Sequence, residues 1–209
     1  MKKLFFLVIL VGIAWLFSAC NKQVSTECQN GSWNNCEILS LLLDHSDFTW
    51  SIQAVLLAIK TQDFATLATF VWSQWLRFSP YEYVNTGTDI VLTSGQIANA
   101  LSMSGIYTWG SYDGSWEPIN LTIGQYFTKF VNDADYATAP QVLYNQSMQR
   151  GNIINNIAQV YVGKQWVESH FTWFDPQYEG IDRKSLTLVF ENIGGQWYLI
   201  GIVHGQRTI

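Results

Sequence analysis

The chain has 209 residues and a formal net charge of −5, with 13% charged and 15% aromatic residues. That length suits one domain once a leader is removed. With no Lys/Arg cluster after residue 3 beyond Arg183-Lys184, the acidic balance excludes a phosphate-binding nucleic-acid surface, and so much aromatic surface must fill a core, with some left to line a pocket or a sugar-binding face.

The chain opens MKKLFFLVILVGIAWLFSAC. Lys2 and Lys3 precede an apolar run over residues 4–17, shorter than the roughly 20 residues of a spanning helix. That pattern predicts a signal peptide. Phe17-Ser18-Ala19-Cys20 resembles a bacterial lipobox, with phenylalanine where leucine is commoner. The resemblance implies cleavage after residue 19 and acylation of Cys20, and two or more acyl chains hold a protein stably on a membrane. The expectation is an exported protein, anchored by lipid at the bacterial cell envelope. Residues 20–37 then form a polar tether. Within it Cys28 and Cys36 make an even pair across a short loop, which predicts a disulfide outside the cytoplasm. Their spacing does not suit zinc. Residues 38–209 remain as a single domain.

Residues 38–43 are apolar and predict the start of a helical region. Ile52, Val55, Leu56 and Ile59 follow the i, i+3, i+4, i+7 rule, and Phe64, Leu67, Ala68 and Val71 repeat it after a break that Asp63 can cap. Pro80, in RFSPYEYV, marks a turn or an edge. Thr93-Ser94-Gly95-Gln96 and Thr122-Ile123-Gly124-Gln125 both have capping-box spacing. Ile97, Ala100 and Leu101 follow the first, and Ile123, Tyr126, Phe127 and Phe130 form a helical face from the second. TWGSYDGSWEP (108–118) between them is turn-rich. After about residue 140 the period becomes strand-like, in VLYNQ, IAQVYVG, QWVESHFTWF, SLTLVFENI and QWYLIGIVHG. The last two runs predict a hairpin across Gly194-Gly195. Helices first and sheet last is an α+β pattern.

That order, with AIKTQDFATLATFV (58–71), RFSPYEYV and the closing run up to GIVHGQRTI, resembles the nuclear transport factor 2-like superfamily over roughly residues 48–209. RFSPYEYV, TWGSYDGS, GNIINNIAQVY and WYLIGIVHGQRTI also look like segments of bacterial lipoproteins of that type. The resemblance implies a cone: N-terminal helices packed in a strongly curved, mostly antiparallel sheet around a pocket. Fold at this level leaves function open.

The candidate acid–base residues are His204, His170, Glu168 and Asp113, with Tyr107 as a further hydroxyl. If QWVESHFTWF is a regular strand, Trp166, Glu168, His170 and Thr172 share one face and Val167, Ser169, Phe171 and Trp173 the other. Glu168 and His170 can then be a hydrogen-bonded pair or a solvated stripe. In the last strand Tyr198, Ile200, Ile202 and His204 share a face, opposite Trp197, Leu199, Gly201 and Val203. Both faces are apolar, which predicts a central strand with His204 at its rim, working near neutral pH or bonded to a neighbouring carbonyl. His45, in a polar break, reads as a surface residue. Asp175, Glu179 and Asp182 lack the regular spacing of a calcium loop. Asn30, Asn120 and Asn145 match glycosylation acceptors, which mean little in a bacterial lipoprotein. No GxSxG, HExxH, CxxC or Walker pattern occurs. No cofactor and no metal are expected. Two functions remain open: a non-enzymatic module of the cell envelope that binds a small apolar or sugar-like ligand or a partner protein, and an isomerase- or hydrolase-like enzyme with its acid–base site in the pocket.

Overall fold

The computed structural model describes residues 45–147, 154–172, 177 and 182–206. The signal peptide, Cys20, the Cys28/Cys36 pair, the run 38–43, and Asp175 and Glu179 of the acidic loop lie outside them. Among the described residues, no helix is long and apolar enough to cross a membrane.

Helix α1, Phe48–Thr61, starts where the Asp47 carboxylate accepts from Trp50 N at 2.7 Å and stops where Gln62 turns to a left-handed φ of 54°. Asp63 caps α2, Phe64–Phe70, by accepting from Thr66 N at 3.0 Å. The stripe Ile52, Val55, Leu56 and Ile59 is buried, as its spacing predicts, and so are Phe64, Leu67 and Val71. Strand β1, Leu76–Ser79, ends at Pro80 and pairs antiparallel with β2, Ile90–Leu92. Both predicted capping boxes form: Thr93 opens α3, Ser94–Ala98, and Thr122 opens α4, Ile123–Tyr126. Helix α4 runs on as a π-helical turn, Phe127–Val131. Ile123, Tyr126, Phe127 and Phe130 are buried together on that face. Behind α3, Ile97 and Ala100 are buried, but Leu101 is exposed.

The stretch read as turn-rich is a hairpin of its own, β3, Tyr107–Ser111, with β4, Pro118–Leu121. It packs through Trp109, whose ring stacks on Tyr126 at 3.8 Å between centroids and whose Nε1 donates to Leu121 O at 3.0 Å. A 3-10 turn, Tyr136–Thr138, leads to β5, Gln141–Tyr144. IAQVYVG, read as a strand, instead holds a helical turn, α5, Ile157–Val160. There Asn155 Oδ1 accepts from Ile157 N at 3.0 Å, a local bond that competes with a strand ladder. The long strands β6, Gln165–Phe171, β7, Lys184–Ile193, and β8, Gln196–Gln206, complete the described chain. The Gly194-Gly195 hairpin forms, both glycines at positive φ.

The class is α+β, but the predicted cone is not present. The strands form one large mixed sheet in the order β2-β1-β8-β7-β6-β5, and it is not strongly curled. The physical reason lies in the first half of the chain. Among the described residues of that half, only α1, with 14 residues, and α2, with 7, are substantial helices, and that described helical part is too small to fill a cone. The same half also contributes β1, which enters the sheet parallel to β8 through the register Arg77↔Gly201, Phe78↔Ile202, Ser79↔Val203. Strand β8 is thereby central, flanked by β1 and β7, as its two apolar faces predict.

One irregularity resets the faces of β8. The β7–β8 register shifts between Val189↔Gly201 and Phe190↔Leu199, leaving Ile200 as an extra residue. Trp197, Leu199 and Ile202 therefore pack with the helices, while Ile200 and Val203 pack in a second cluster with Val84, Ile157, Tyr161 and Val189. Strict alternation would have placed Ile200 beside Ile202 and His204.

Candidate ligand-binding cleft

The loop after β1 and the tip of the β3–β4 hairpin face each other across an open cleft of about 1090 Å³. Pro80 lies beside the hairpin at Gly110, whose φ of 129° is a backbone conformation that residues with a side chain rarely adopt. Asp113 N donates to the Tyr81 hydroxyl at 2.9 Å and ties the hairpin tip to that loop. The tip itself is closed by Tyr112 N on Glu117 O at 2.8 Å and Trp116 N on Tyr112 O at 3.0 Å. Trp116 sits there at a left-handed φ of 61°, 84% exposed. A non-glycine residue in that region carries a backbone cost, so the turn presents the indole to solvent against local preference.

The opposite wall is held by two side chains that sequence reading did not single out. Asp89 Oδ2 accepts from Ser79 Oγ at 2.5 Å and from Asn85 N at 2.9 Å, folding the loop 80–89 onto β1. Burial raises the Asp89 pKa, against the opposing pull of those two hydrogen bonds and of Arg77. Asn156 uses both ends of its amide on one residue, accepting from Val84 N at 2.8 Å and donating to Val84 O at 2.9 Å. It thus docks the segment carrying Ile154 against the same loop. A signal for Asp89 existed in Asn85-Thr86-Gly87-Thr88-Asp89, a polar turn. Asn156 carries no local signal, because its partner is 72 positions away.

The lining combines aromatic faces (Tyr81, Tyr83, Trp109, Tyr112 and Trp116) with the polar side chains Asn85, Thr88, Thr108, Ser111 and Gln206 and the carboxylates Glu82, Asp89 and Asp113. Burial raises the Tyr81 hydroxyl, with the Asp113 N–H opposing. Aromatic faces between hydrogen-bonding groups suit the flat apolar faces and equatorial hydroxyls of a sugar ring.

Of the predicted acid–base residues, only Asp113 lines this cleft. Tyr107 packs against Trp109 at 5.8 Å instead. His204 is fully buried on the helix-facing side of the sheet. Its Nδ1 meets Pro80 O at 3.1 Å, and its Nε2 lies 3.4 Å from Asp133 Oδ2. Since a carbonyl only accepts, Nδ1 donates. Asp133, which sequence reading missed, also takes Lys184 Nζ at 2.7 Å and the Tyr136 hydroxyl at 2.7 Å. Burial works to raise the Asp133 pKa, but the His204 hydrogen bond and charge, then Lys184 and Tyr136, hold it well below the usual carboxylate range. The sequence clue was Asn132-Asp133-Ala134-Asp135, acidic residues just past a helical face.

Glu168 and His170 share a face, as predicted, but it is the other face of the sheet. Ser169 pairs with Leu186 and Leu186 with His204, so the neighbours of Ser169 point away from His204. The reading of that face as solvated is overturned as well: Glu168 and His170 are both buried, beside Ser185 and Thr187. His170 Nδ1 meets Lys184 O at 3.1 Å. His204 and the Glu168/His170 pair thus cannot converge on one reacting atom. His45, read as a surface residue, is buried and stacked on Phe70 at 4.0 Å between centroids. Among the described residues, no group of three or more His, Cys, Asp or Glu could hold a metal ion.

A scan against protein-family models finds no match, and neither does a search of curated proteins. Among solved structures, the chain is similar to a DUF4783 family protein from Bacteroides ovatus ATCC 8483, at a TM-score of 0.35 and 10% identity over 75% of this chain and 94% of that one. At that score the likeness assigns neither fold nor function. None of these comparisons links the chain to the nuclear transport factor 2-like superfamily.

Proposed function

We propose that this protein is a non-enzymatic binding module of the bacterial cell envelope, anchored through lipid on Cys20, that holds a small sugar-like ligand in the cleft between the loop after β1 and the β3–β4 hairpin. The observation that supports it is the cleft itself: about 1090 Å³, open, and lined by aromatic faces interleaved with neutral and acidic hydrogen-bonding groups. Trp116, held out into solvent at the hairpin tip, is the platform on which a sugar face would stack. The acid–base alternative has less support, because His204 lies on the opposite side of the sheet from Glu168 and His170, and none of the three lines the cleft.

The test is native mass spectrometry of the full protein extracted from its own membranes, alongside a Trp116→Ala variant prepared identically. The expected result is a small co-purifying molecule on the wild type whose occupancy falls in the variant. A wild type that carries nothing, and whose tryptophan fluorescence is unmoved by a panel of oligosaccharides, overturns the reading.

A further inference from the structure

We propose that the cleft recognises a neutral carbonyl acceptor, specifically the acetamido group of an N-acetylated sugar, through the hydroxyls of Tyr81 and Tyr112. This rests on the binding reading above and names its ligand class. Both tyrosines line the cleft. Each hydroxyl oxygen already accepts a hydrogen bond within the fold: Tyr81 from Asp113 N at 2.9 Å, and Tyr112 from the Lys129 ammonium at 2.7 Å. A backbone N–H and an ammonium can only donate. Both hydroxyl protons are therefore left over, and neither is donated to a described residue.

One neighbour sets both rings. Phe130 meets Tyr81 edge-on at 6.3 Å and stacks with Tyr112 at 6.4 Å between centroids. The pair is close enough that Tyr112 and Lys129 both act electrostatically on the Tyr81 hydroxyl. Lys129 Nζ also stands 4.3 Å from the centre of the Tyr112 ring, so its charge polarises that hydroxyl and strengthens it as a donor. A ligand group that brings lone pairs finds two donors in one lining. An anion brings lone pairs too, but Glu82 and Asp113 place carboxylates on the same lining, which oppose a further negative charge. Lys129 is held on Tyr112 and is not itself a lining residue. A sugar hydroxyl accepts as well, yet it must also place its own proton, whereas an amide carbonyl has two lone pairs and no proton to place. The acetyl methyl adds an apolar body that the exposed rings of Tyr83 and Trp116 can cover.

The experiment compares two β-1,4-linked tetramers that differ only at carbon 2: cellotetraose with a hydroxyl, and the N-acetylglucosamine tetramer with an acetamido group. Each is titrated calorimetrically into the full protein and into its Tyr112→Phe and Tyr81→Phe variants. The N-acetylated tetramer is expected to bind the wild type about tenfold more tightly than cellotetraose, the size expected of two net hydrogen bonds. Tyr112→Phe keeps the ring and removes the hydroxyl, and should cut that preference about threefold while moving cellotetraose binding less than about twofold. Tyr81→Phe should act in the same direction; because it also releases the Asp113 N–H that ties the hairpin tip, Tyr112→Phe is the deciding variant. An equal loss for both tetramers in Tyr112→Phe, or an unchanged preference there, overturns the role given to the hydroxyls. Equal or tighter wild-type binding of cellotetraose overturns the carbonyl preference while leaving a sugar-binding cleft. Binding by neither tetramer overturns both.

Discussion

His204 Nε2 stands 3.4 Å from Asp133 Oδ2, with only 1% and 9% of the two side chains exposed. Asp133 also holds Lys184, at the start of β7, and Tyr136, in the 3-10 turn. One carboxylate therefore fastens β7 and β8 to the segment that follows the π-helical turn. With Nδ1 committed to the Pro80 carbonyl, this histidine is a structural brace. Removing the charge with Asp133→Asn leaves Lys184 facing an amide, and is expected to cost about 2–4 kcal/mol in urea denaturation.

The same carboxylate sets an acid limit. A depressed folded-state pKa contributes stability that is complete above the unfolded value, about 3.9, and is lost as pH falls through the lower folded value. Wild-type urea midpoints should fall steeply below about pH 4, and Asp133→Asn should flatten that slope. An unchanged slope in the variant would show that other carboxylates dominate acid unfolding.

Gly205 pairs with Ser185 in the middle of the sheet, and the space its Cβ would take is already filled. That atom would lie 2.4 Å from Ser185 Oγ and 2.8 Å from Glu82 Oε1. Gly205→Ala is expected to lose about 1–3 kcal/mol by overpacking, read as a drop in thermal midpoint. Because Glu82 lines the cleft, the same variant should bind ligand more weakly. Adding Ser185→Gly should return part of the stability, since the two sites share one space.

Thr93 Oγ1 accepts from Gln96 N at 3.2 Å while Gln96 Oε1 accepts from Thr93 N at 2.9 Å. Thr93→Ala should cost about 1 kcal/mol by chemical denaturation, and Thr122→Ala about the same. The caps are separate, so the double variant should lose close to the sum.

The proposed anchoring through Cys20 has a direct readout. Cys20→Ser should move the protein from the membrane to the soluble fraction of the envelope, and metabolic labelling with a fatty-acid analogue should vanish with it. Membrane association that survives the substitution removes the lipid anchor from the proposal.

The sequence made local features legible and long-range ones illegible. Asp63, Thr93 and Thr122 announce their helices because each cap lies within three residues of its partner. The buried stripe of α1 and the Gly194-Gly195 hairpin are equally local. Strand β1 was missed because four residues are too few to show a period and its parallel partner lies more than a hundred residues on. The bulge at Ile200 is invisible in a run where every residue is apolar, yet it decides which residues face His204. In the cleft, Asp113 was legible as a turn acid, whereas Asn156 binds Val84 through a contact that only the folded chain creates.

The parallel seam between β1 and β8 also bears on when the chain can fold. Arg77 finds its partner only at Gly201, so β1 has no neighbour but the short β2 until the ribosome has delivered almost all of the described chain. Pairings this distant close late and slowly. A polypeptide proposed to be threaded through a membrane while extended gains from that delay, because its sheet cannot lock before translocation is under way.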